Sequence, residues 1–474
     1  MTRRVIPLVP ALALTLALPA CSLEPKLPEA APAVPASWPE GAAYSAQGDA
    51  ELPTVSYRDI FRDPRLQALV EQALMNNRDL RIAAANLTEA RAQVRIASAD
   101  QVPQIDANGS ATRSDTGTTP ASRSYTADAS ISSFELDLFG KLANATKAER
   151  ERMLSTEAAA RTVRLGLVAD LADAWSSYAA DNDLLKIAQT TADSARESVK
   201  LTKARLKAGV APRSDVRQAE QVLATAEGDV ASQTAALAQD ENLIRLLIGA
   251  EFDPALLPGA MPEVTASTET LPAGTSSKVL LRRPDVEEAE YLLRAANADI
   301  GVARAELFPS ISLTGLLGYA SGALSDLFTK GAYQKAASAN ASYAIFAGGG
   351  VRANIDASKA QRDAALATYE KAIQTAFREV SDALADQGTI AERLRTAQAN
   401  RAAAEDTAKL TEARYRGGVD SYLANLDAQR SLYSARQAEV LVELQRVNNR
   451  VTLYRVLGGD QIATAGPAAS QGLR

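Results

Sequence analysis

The chain has 474 residues, with 51 Lys and Arg against 57 Asp and Glu, one cysteine and no histidine. The lack of histidine excludes histidine-based acid–base catalysis and histidine-liganded zinc, and a single cysteine excludes intrachain disulfides and multi-cysteine metal centres. A net charge of −6 offers no nucleic-acid footprint.

Residues 1–20 have the form of a signal peptide. Arg3 and Arg4 make a basic end, and the apolar stretch from Leu8 to Leu18 is too short for an ordinary membrane span. Cys21 follows Leu18-Pro19-Ala20, which resembles a bacterial lipobox. That resemblance implies that Cys21 becomes the lipidated first residue of the mature chain, and that Ser22 directs it to the outer membrane. The alternative is a plain signal with an incidental cysteine. Residues 21–58 read as a lipid anchor and an extended strap, because Pro25, Pro28, Pro32, Pro35, Pro39 and Pro53 forbid a continuous helix. Trp38 and Tyr44 are candidates to pin that strap.

Residues 59–249 form a first structural unit. Asp63 and Pro64 open a helix near Leu66–Met75, Asn76 and Asn77 interrupt it, and a second helix runs from Asp79 to about Ala99. The period then changes from helical to two-residue alternation, predicting strands at about 104–114 and 123–136. A proline-free run from Thr146 to Lys207, rich in Ala, Leu and long charged side chains, predicts a helical rod of roughly 90 Å at 1.5 Å per residue. It turns at Ala208-Gly209-Val210-Ala211-Pro212, and a helix returns from Ser214 to Leu247. Residues 250–283 are a connector rich in Pro, Gly and Thr. Residues 284–459 then repeat the pattern: a helix from Asp285 to Glu306, strands at about 310–320 and 337–346, a second rod at Asn354–Arg416, a turn at Gly417-Gly418-Val419-Asp420, and a helix from Tyr422 to Leu457. Residues 460–474 are a C-terminal tail.

The two halves match residue by residue. At a shift of 206, Asp79, Leu87, Ala90 and Pro103 fall on Asp285, Leu293, Ala296 and Pro309; at 209, Leu201, Ala204, Arg205, Gly209, Val210 and Gly249 fall on Leu410, Ala413, Arg414, Gly418, Val419 and Gly458. Such a nearly constant offset means internal duplication.

The strands point to a membrane. Ile311, Leu313, Gly315, Leu317 and Tyr319 share one side, whereas Gln104, Asp106, Asn108, Ser110, Thr112 and Ser114 make an uninterrupted polar face, the alternation of an outer-membrane barrel strand. Tyr125, Phe134, Tyr319, Tyr343 and Phe346 are candidates for interfacial belts. Open sheet edges are not tolerated in lipid, and the smallest common single-chain barrels have about eight strands. Four strands therefore either pack as a soluble sheet or close by sharing a barrel among chains, with three copies supplying twelve. The alanine-rich rods fit either a hollow cylinder of helices or an elongated coiled coil.

Several segments carry a family resemblance: Leu280-Leu281-Arg282-Arg283-Pro284-Asp285-Val286, Ala303-Arg304-Ala305-Glu306-Leu307-Phe308-Pro309-Ser310-Ile311, Asp137-Leu138-Phe139-Gly140-Lys141, Tyr415-Arg416-Gly417-Gly418-Val419-Asp420-Ser421-Tyr422-Leu423 and Leu426-Asp427-Ala428-Gln429-Arg430. From about Asp59 to Gly459 the chain resembles the outer-membrane efflux channels, the TolC-like proteins, in the lipoprotein branch serving resistance-nodulation-division pumps. The resemblance implies a mixed α/β membrane protein: a homotrimer with a twelve-stranded β-barrel, four strands per chain, continuous with a periplasmic twelve-helix α-barrel, and an equatorial domain built in part from residues 250–283. It implies passive export, with a periplasmic adaptor and an inner-membrane pump as partners. Gly348-Gly349-Gly350 lacks the lysine and hydroxyl of a phosphate-binding loop and reads as a strand-to-helix junction. No catalytic, metal or cofactor residue is expected. The competing reading is a periplasmic adaptor or structural coiled-coil lipoprotein, against which the duplicated helix and strand pattern weighs.

By the same resemblance, the rod tips dock the adaptor: Leu206, Gly209, Val210 and Ser214 at one, and Gly417, Gly418, Val419 and Ser421 at the other. The plainer alternative is that these glycines only terminate helices. Asp420 leads the candidates for a periplasmic gate, where three copies would make an acidic ring, with Arg416 nearby to pair with carboxylates and Tyr415 and Leu423 in the same aperture; surface charges and helix caps are the alternative. Asp382 and Asp386, one turn apart, are candidate lumen residues.

Overall fold

The computed structural model describes residues 23–28, 37–44, 56–115, 117, 121–269 and 277–459. The expected signal segment 1–20, Cys21 as the expected lipidation site, and the tail 460–474 lie outside them.

Thirteen elements follow one another: α1 (Tyr57–Ile60), α2 (Pro64–Asn76), α3 (Arg78–Ala99), β1 (Asp106–Ser114), β2 (Ser122–Glu135), α4 (Lys141–Lys207), α5 (Arg213–Ile248), α6 (Met261–Ser267), α7 (Pro284–Ala305), β3 (Ser310–Ser321), β4 (Tyr333–Ser342), α8 (Gly350–Arg416) and α9 (Tyr422–Val456), with short 3₁₀ turns between some of them. The duplication is visible in their lengths, since α3 and α7 have 22 residues each and α4 and α8 have 67 each. Both rods begin earlier than the helical periodicity suggests, at Lys141 and Gly350 rather than Thr146 and Asn354. The Asp137 carboxylate accepts the Ala143 N–H at 2.8 Å and so satisfies one orphan donor in the first turn of α4. At the α2–α3 break, the side chain of buried Asn77 accepts the Leu80 N–H at 3.0 Å and donates to the Leu247 carbonyl at 2.8 Å. The connector is not all coil: Pro262 at the second position of α6 suits a helix start, and Met261 and Val264 are buried.

The chain divides into two compact units, to both of which α3, α4, α7 and α8 contribute residues. One unit holds the sheet and residues 23–28 of the strap. The sheet is a four-stranded antiparallel meander in the order β1-β2-β3-β4, so the two hairpins of the duplication join through β2 and β3. The second hairpin corrects the expected 337–346 strand. β4 pairs from Tyr333, opposite Tyr319, to Ser342, opposite Ser310, and its pairing stops where β3 begins. Tyr343, Ile345 and Phe346 leave the sheet with exposed side chains. A bulge between Ile131 and Phe134, with Ser133 at φ 56°, breaks the β2–β3 ladder near its helix-proximal end. The strap runs along polar side chains of α4 and α7. Glu24 meets Lys147 at 2.6 Å and accepts from Asn297 at 3.0 Å, and the Leu23 carbonyl accepts from Arg304 at 3.1 Å.

The other unit holds the two helical hairpins, α1, α2 and α6. Its core is centred on Trp175, fully buried, whose indole N–H donates to the Leu256 carbonyl at 3.0 Å, with Leu69, Leu171, Ile244 and Ile248 fully buried as well. Each such side chain contributes roughly 1.5–3 kcal/mol by leaving water. Phe61 packs edge-on against Tyr454 with centroids 5.5 Å apart, and Phe61 bridges to Thr268. Trp38 of the strap is buried and stacks on Phe377 at 5.1 Å, whereas Tyr44 stays partly exposed. No described helix is long and apolar enough to cross a membrane.

Candidate functional site

Two places carry unusual chemistry: the sheet faces and the hairpin tips. Directly paired residues share a face of an antiparallel sheet. One face therefore carries Asp106 and Ser130, Asn108 and Asp128, Ser110 and Thr126, and, across β3 and β4, Ser312 and Asn340, and Thr314 and Ser338. Asn108 donates to Ser130 at 3.0 Å, and the hydroxyls of Ser110 and Thr126 lie 2.7 Å apart. The opposite face pairs Ala129 with Leu317, Phe134 with Leu313, and Ile311 with Ala341. Tyr319 meets Phe328 and Tyr333 edge-on at 5.5 and 5.8 Å at the loop end, and the paired Arg113 and Arg123 lie on the same face by register, towards the same end of the sheet. At the helix end Phe139 stacks on Phe308 at 4.4 Å. Aromatic side chains thus cluster at both ends of an apolar face backed by a hydroxyl and amide face.

The tips are closed by one backbone device used twice. α4 ends at Lys207, and Gly209 at φ 75° lets the Gly209 N–H reach the Leu206 carbonyl and the Val210 N–H reach the Arg205 carbonyl, both at 3.0 Å. α8 ends at Arg416, and Gly418, also at φ 75°, sets the Gly418 N–H on the Tyr415 carbonyl at 3.1 Å and the Val419 N–H on the Arg414 carbonyl at 2.9 Å. These are Schellman closures, which favour glycine because a Cβ is disfavoured at positive φ. The following valines are thrust outward, Val210 at 69% and Val419 at 67% exposure, with Leu206 and Leu423 exposed beside them. Ser421 caps α9 by accepting the Ala424 N–H at 3.3 Å; Ser214 instead lies one residue inside α5, its hydroxyl 3.4 Å from Asp215.

The expected gate residues separate. Asp420 is held by Arg414, at 2.7 and 2.9 Å to Nε and Nη2, and not by Arg416, which turns back one turn to Glu412. The two-pronged hydrogen bonding from Arg414 keeps the Asp420 carboxyl below its ordinary range. Tyr415 is buried with Tyr422, Val199, Ala219 and Leu426, its ring centroid 5.4 Å from that of Tyr422. Burial, helped by Tyr415, pushes the Tyr422 phenol up to about 12. Leu423 stands exposed on the first turn of α9. Arg205 crosses from the first hairpin to the second, its guanidinium 4.5 Å from the Tyr415 ring centroid and Nη1 donating to the Tyr415 carbonyl at 3.4 Å. Arg205 and Arg414 were legible as the repeated Arg-x-x-x-Gly-Val, but their partners were not. At the shift of 209, Ala211 stands where the other tip has Asp420, which marks Arg414 as the arginine with a local carboxylate.

Away from the tips, Asp382 and Asp386 line a cavity of about 640 Å³ together with Arg283, Arg393 and Arg455. Asp386 is 3.4 Å from Arg393 and Asp382 is 3.8 Å from Arg378. Among the described residues no group of acidic or sulfur ligands could hold a metal ion.

A family model described as outer membrane efflux protein matches residues 69–250 and 275–459. The toluene efflux pump outer membrane protein TtgC of Pseudomonas putida is 40% identical over 460 residues, covering 95% of this chain and 95% of that protein. The cation efflux system protein CusC of Escherichia coli is 36% identical over 448 residues, covering 94% and 97%. The crystal structure of the open state of the Neisseria gonorrhoeae MtrE outer membrane channel superimposes with a TM-score of 0.83 at 31% identity, covering 93% of this chain and 98% of that one.

Proposed function

The chain belongs to the outer membrane efflux protein family, and from that premise we propose that three copies close one barrel and one tunnel, giving a gated exit duct for small molecules. The chain is an outer-membrane efflux channel component and not an enzyme. The architecture rests on one observation: a four-stranded sheet, polar on one face and apolar on the other, whose edge strands β1 and β4 have no further partner among the described residues. Such a sheet cannot lie in lipid with open edges. Four strands from each of three chains make a closed barrel of twelve, with the hydroxyl and amide face inward and the aromatic clusters at the two interfaces. The family resemblance supplies the copy number and the periplasmic tunnel of twelve helices. The helices also have surface for neighbours: α3 buries none of its residues, leaving Ile82 and Ile96 exposed, and α5 exposes Leu243 and Leu246.

In this reading Cys21 carries the lipid, and the adaptor docks on Leu206, Gly209, Val210 and Ser214 and on Gly417, Gly418, Val419 and Ser421. Asp420, Arg416, Tyr415 and Leu423 belong to the closing region of the tip, with Arg414 added as the direct partner of Asp420. Asp382 and Asp386 border the lumen. An inner-membrane pump of the resistance-nodulation-division class supplies the energy. Relatives named for toluene and for cation efflux share 40% and 36% of their aligned residues with this chain. Cargoes so unlike, on one channel scaffold, favour substrate choice in the pump, and the duct itself need only be wet and wide enough for drugs and similar small molecules. Planar-bilayer conductance of the purified mature protein, with and without adaptor, tests the reading. Discrete low-conductance events that grow on adaptor addition are expected; no conductance from folded, inserted protein under either condition overturns it.

A further inference from the structure

The two tips share a backbone but not a charge. Residues 196–220 carry seven basic and three acidic side chains, a surplus of four positive charges; the duplicate window 405–429 carries three basic and five acidic, a surplus of two negative. Two exchanges at the apex matter most. Glu412 and Asp420 of the second tip correspond, at the shift of 209, to Lys203 and Ala211 of the first. In the second tip these acids neutralise the apex, Glu412 binding Arg416 at 2.5 Å and Asp420 binding Arg414 at 2.7 Å. In the first tip Lys203 is taken up by Glu220 at 3.0 Å, which Arg217 also holds at 2.5 Å. Lys207 and Arg213, exposed on either side of Gly209 and Val210, make no ion pair among the described residues.

We propose that the first tip is an acid-reading surface: Lys207 and Arg213 flank the exposed Val210 and receive carboxylates at the apex of a partner helical hairpin, while the second tip, its apex arginines already paired, offers the apolar Val419 and Leu423. This rests on the reading that the tips dock a periplasmic adaptor, and adds which tip selects it and by what chemistry. Two exposed cations in water gain little each, but set around an apolar contact they fix orientation and raise the encounter rate. The duplicated tips then cease to be interchangeable, and a hairpin with an acidic apex is directed to one of them.

The test uses the full mature trimer in detergent and two synthetic, crosslinked helical hairpins identical except for an apex of glutamates or of lysines. At 50 mM salt the acidic hairpin is expected to bind about tenfold more tightly than the basic one, about 1.4 kcal/mol. The preference should shrink at 300 mM salt, as screening shortens the reach of exposed charges. The double variant Lys207→Glu and Arg213→Glu should abolish or invert the preference, and Asp427→Lys on the second tip should leave it unchanged. Equal affinity for the two hairpins, or a preference untouched by the double variant, overturns the proposal. So does a double variant that falls apart into monomers, because the cations would then serve contact between copies of this chain. Adaptor-dependent conductance separates the two levels: if the wild type ignores the adaptor, the docking reading itself fails. If wild type and double variant respond to it with the same salt dependence, only the charge reading fails.

Discussion

Arg283 is a buried cation whose removal should destabilise the helical unit. It is 8% exposed and makes contacts on three sides. Nε and Nη2 grip Asp285 at 3.0 and 2.7 Å, Nη2 also meets Glu379 at 2.7 Å, and Nη1 donates to the Val456 carbonyl at 3.0 Å. It thereby ties the start of α7 to α8 and to the last turn of α9, where unsatisfied carbonyls collect. Burial opposes the charge on Arg283, but the Asp285 and Glu379 carboxylates outweigh it and hold the guanidinium above its ordinary range. Breaking a buried pair typically costs about 3–5 kcal/mol. Asp285 and Glu379 are 39% and 34% exposed, however, so water can take over part of their solvation once the arginine is gone. An intermediate loss of about 2–3 kcal/mol is therefore expected for Arg283→Gln, roughly a factor of 30 to 150 in the unfolding equilibrium. Arg283→Lys should recover only part of it, because an ammonium cannot grip Asp285 with two parallel bonds while reaching Val456. Guanidinium unfolding of the detergent-solubilised protein, followed by Trp175 and Trp38 fluorescence, measures this. A glutamine variant within 0.5 kcal/mol of wild type, a bound set by the usual scatter of surface substitutions, would refute the account of Arg283 as a tie.

Three further outcomes follow from the same geometry. In Gly318→Val, a Cβ would sit 2.4 Å from the Asp128 Cβ and 2.5 Å from the Ala127 carbonyl oxygen, forcing β2 and β3 apart at an expected cost of about 1–3 kcal/mol; the yield of heat-resistant trimers should fall, and an unchanged yield would contradict this register. The Asp240 carboxyl is raised to about 7, first by burial and then by Asp181, with Glu241 and Tyr178 also nearby. The folded protein thus holds a proton that the unfolded chain has already lost, so this group weakens stability as pH rises from about 4 to about 7 and adds no further slope above that. Asp240→Asn should remove that slope, which guanidinium midpoints at pH 5 and pH 8 would read, and a slope equal to wild type would count against it. Finally, Asp420→Ala leaves Arg414 without its carboxylate and should raise single-channel opening without adaptor, whereas unchanged conductance would remove Asp420 from the gate.

The long helices were legible because 67 residues without proline leave little else to form, and because the tip glycines punctuate them. The sheet was legible as a set of alternating faces, but β4 was displaced by four residues. The run Ala337–Phe346 is apolar and aromatic enough to read as strand to its end, yet the length of β4 is set by β3, a constraint that is not local. The same limit applies at the tips. Glycine at Gly209 and Gly418 announces a turn from sequence alone, but the partner of Asp420 depends on which arginine the turn folds back, and the Schellman closure selects Arg414 over Arg416. The burial of Tyr415 against Tyr422 and under Arg205 required the packing of two hairpins more than 200 residues apart in sequence to be known.

The change of offset from 206 to 209 has a physical location. α3 and α7 keep the first offset at both ends, and α4 and α8 keep the second at both ends. Between them, 41 residues separate α3 from α4, and 44 separate α7 from α8, so the three-residue difference lies wholly in the segments that contain the strand hairpins. That is where such a change is cheap. A strand hairpin needs only to keep its alternation of faces, and lengthening a connection by a few residues adds a few tenths of a kcal/mol in closure entropy at most, of order 0.6 kcal/mol even for a doubling. A single residue inserted in α4 or α8 would instead rotate every later side chain by about 100° about the helix axis. That would carry Val199 out of its cluster with Tyr415 and Tyr422, and Arg205 off the Tyr415 ring. Divergence between the halves is therefore expected as length changes in the hairpin segments and as side-chain exchanges on the rods. The exchanges of Ala211 for Asp420 and Lys203 for Glu412 are of the second kind, changing the charge a tip presents without changing where the tip is.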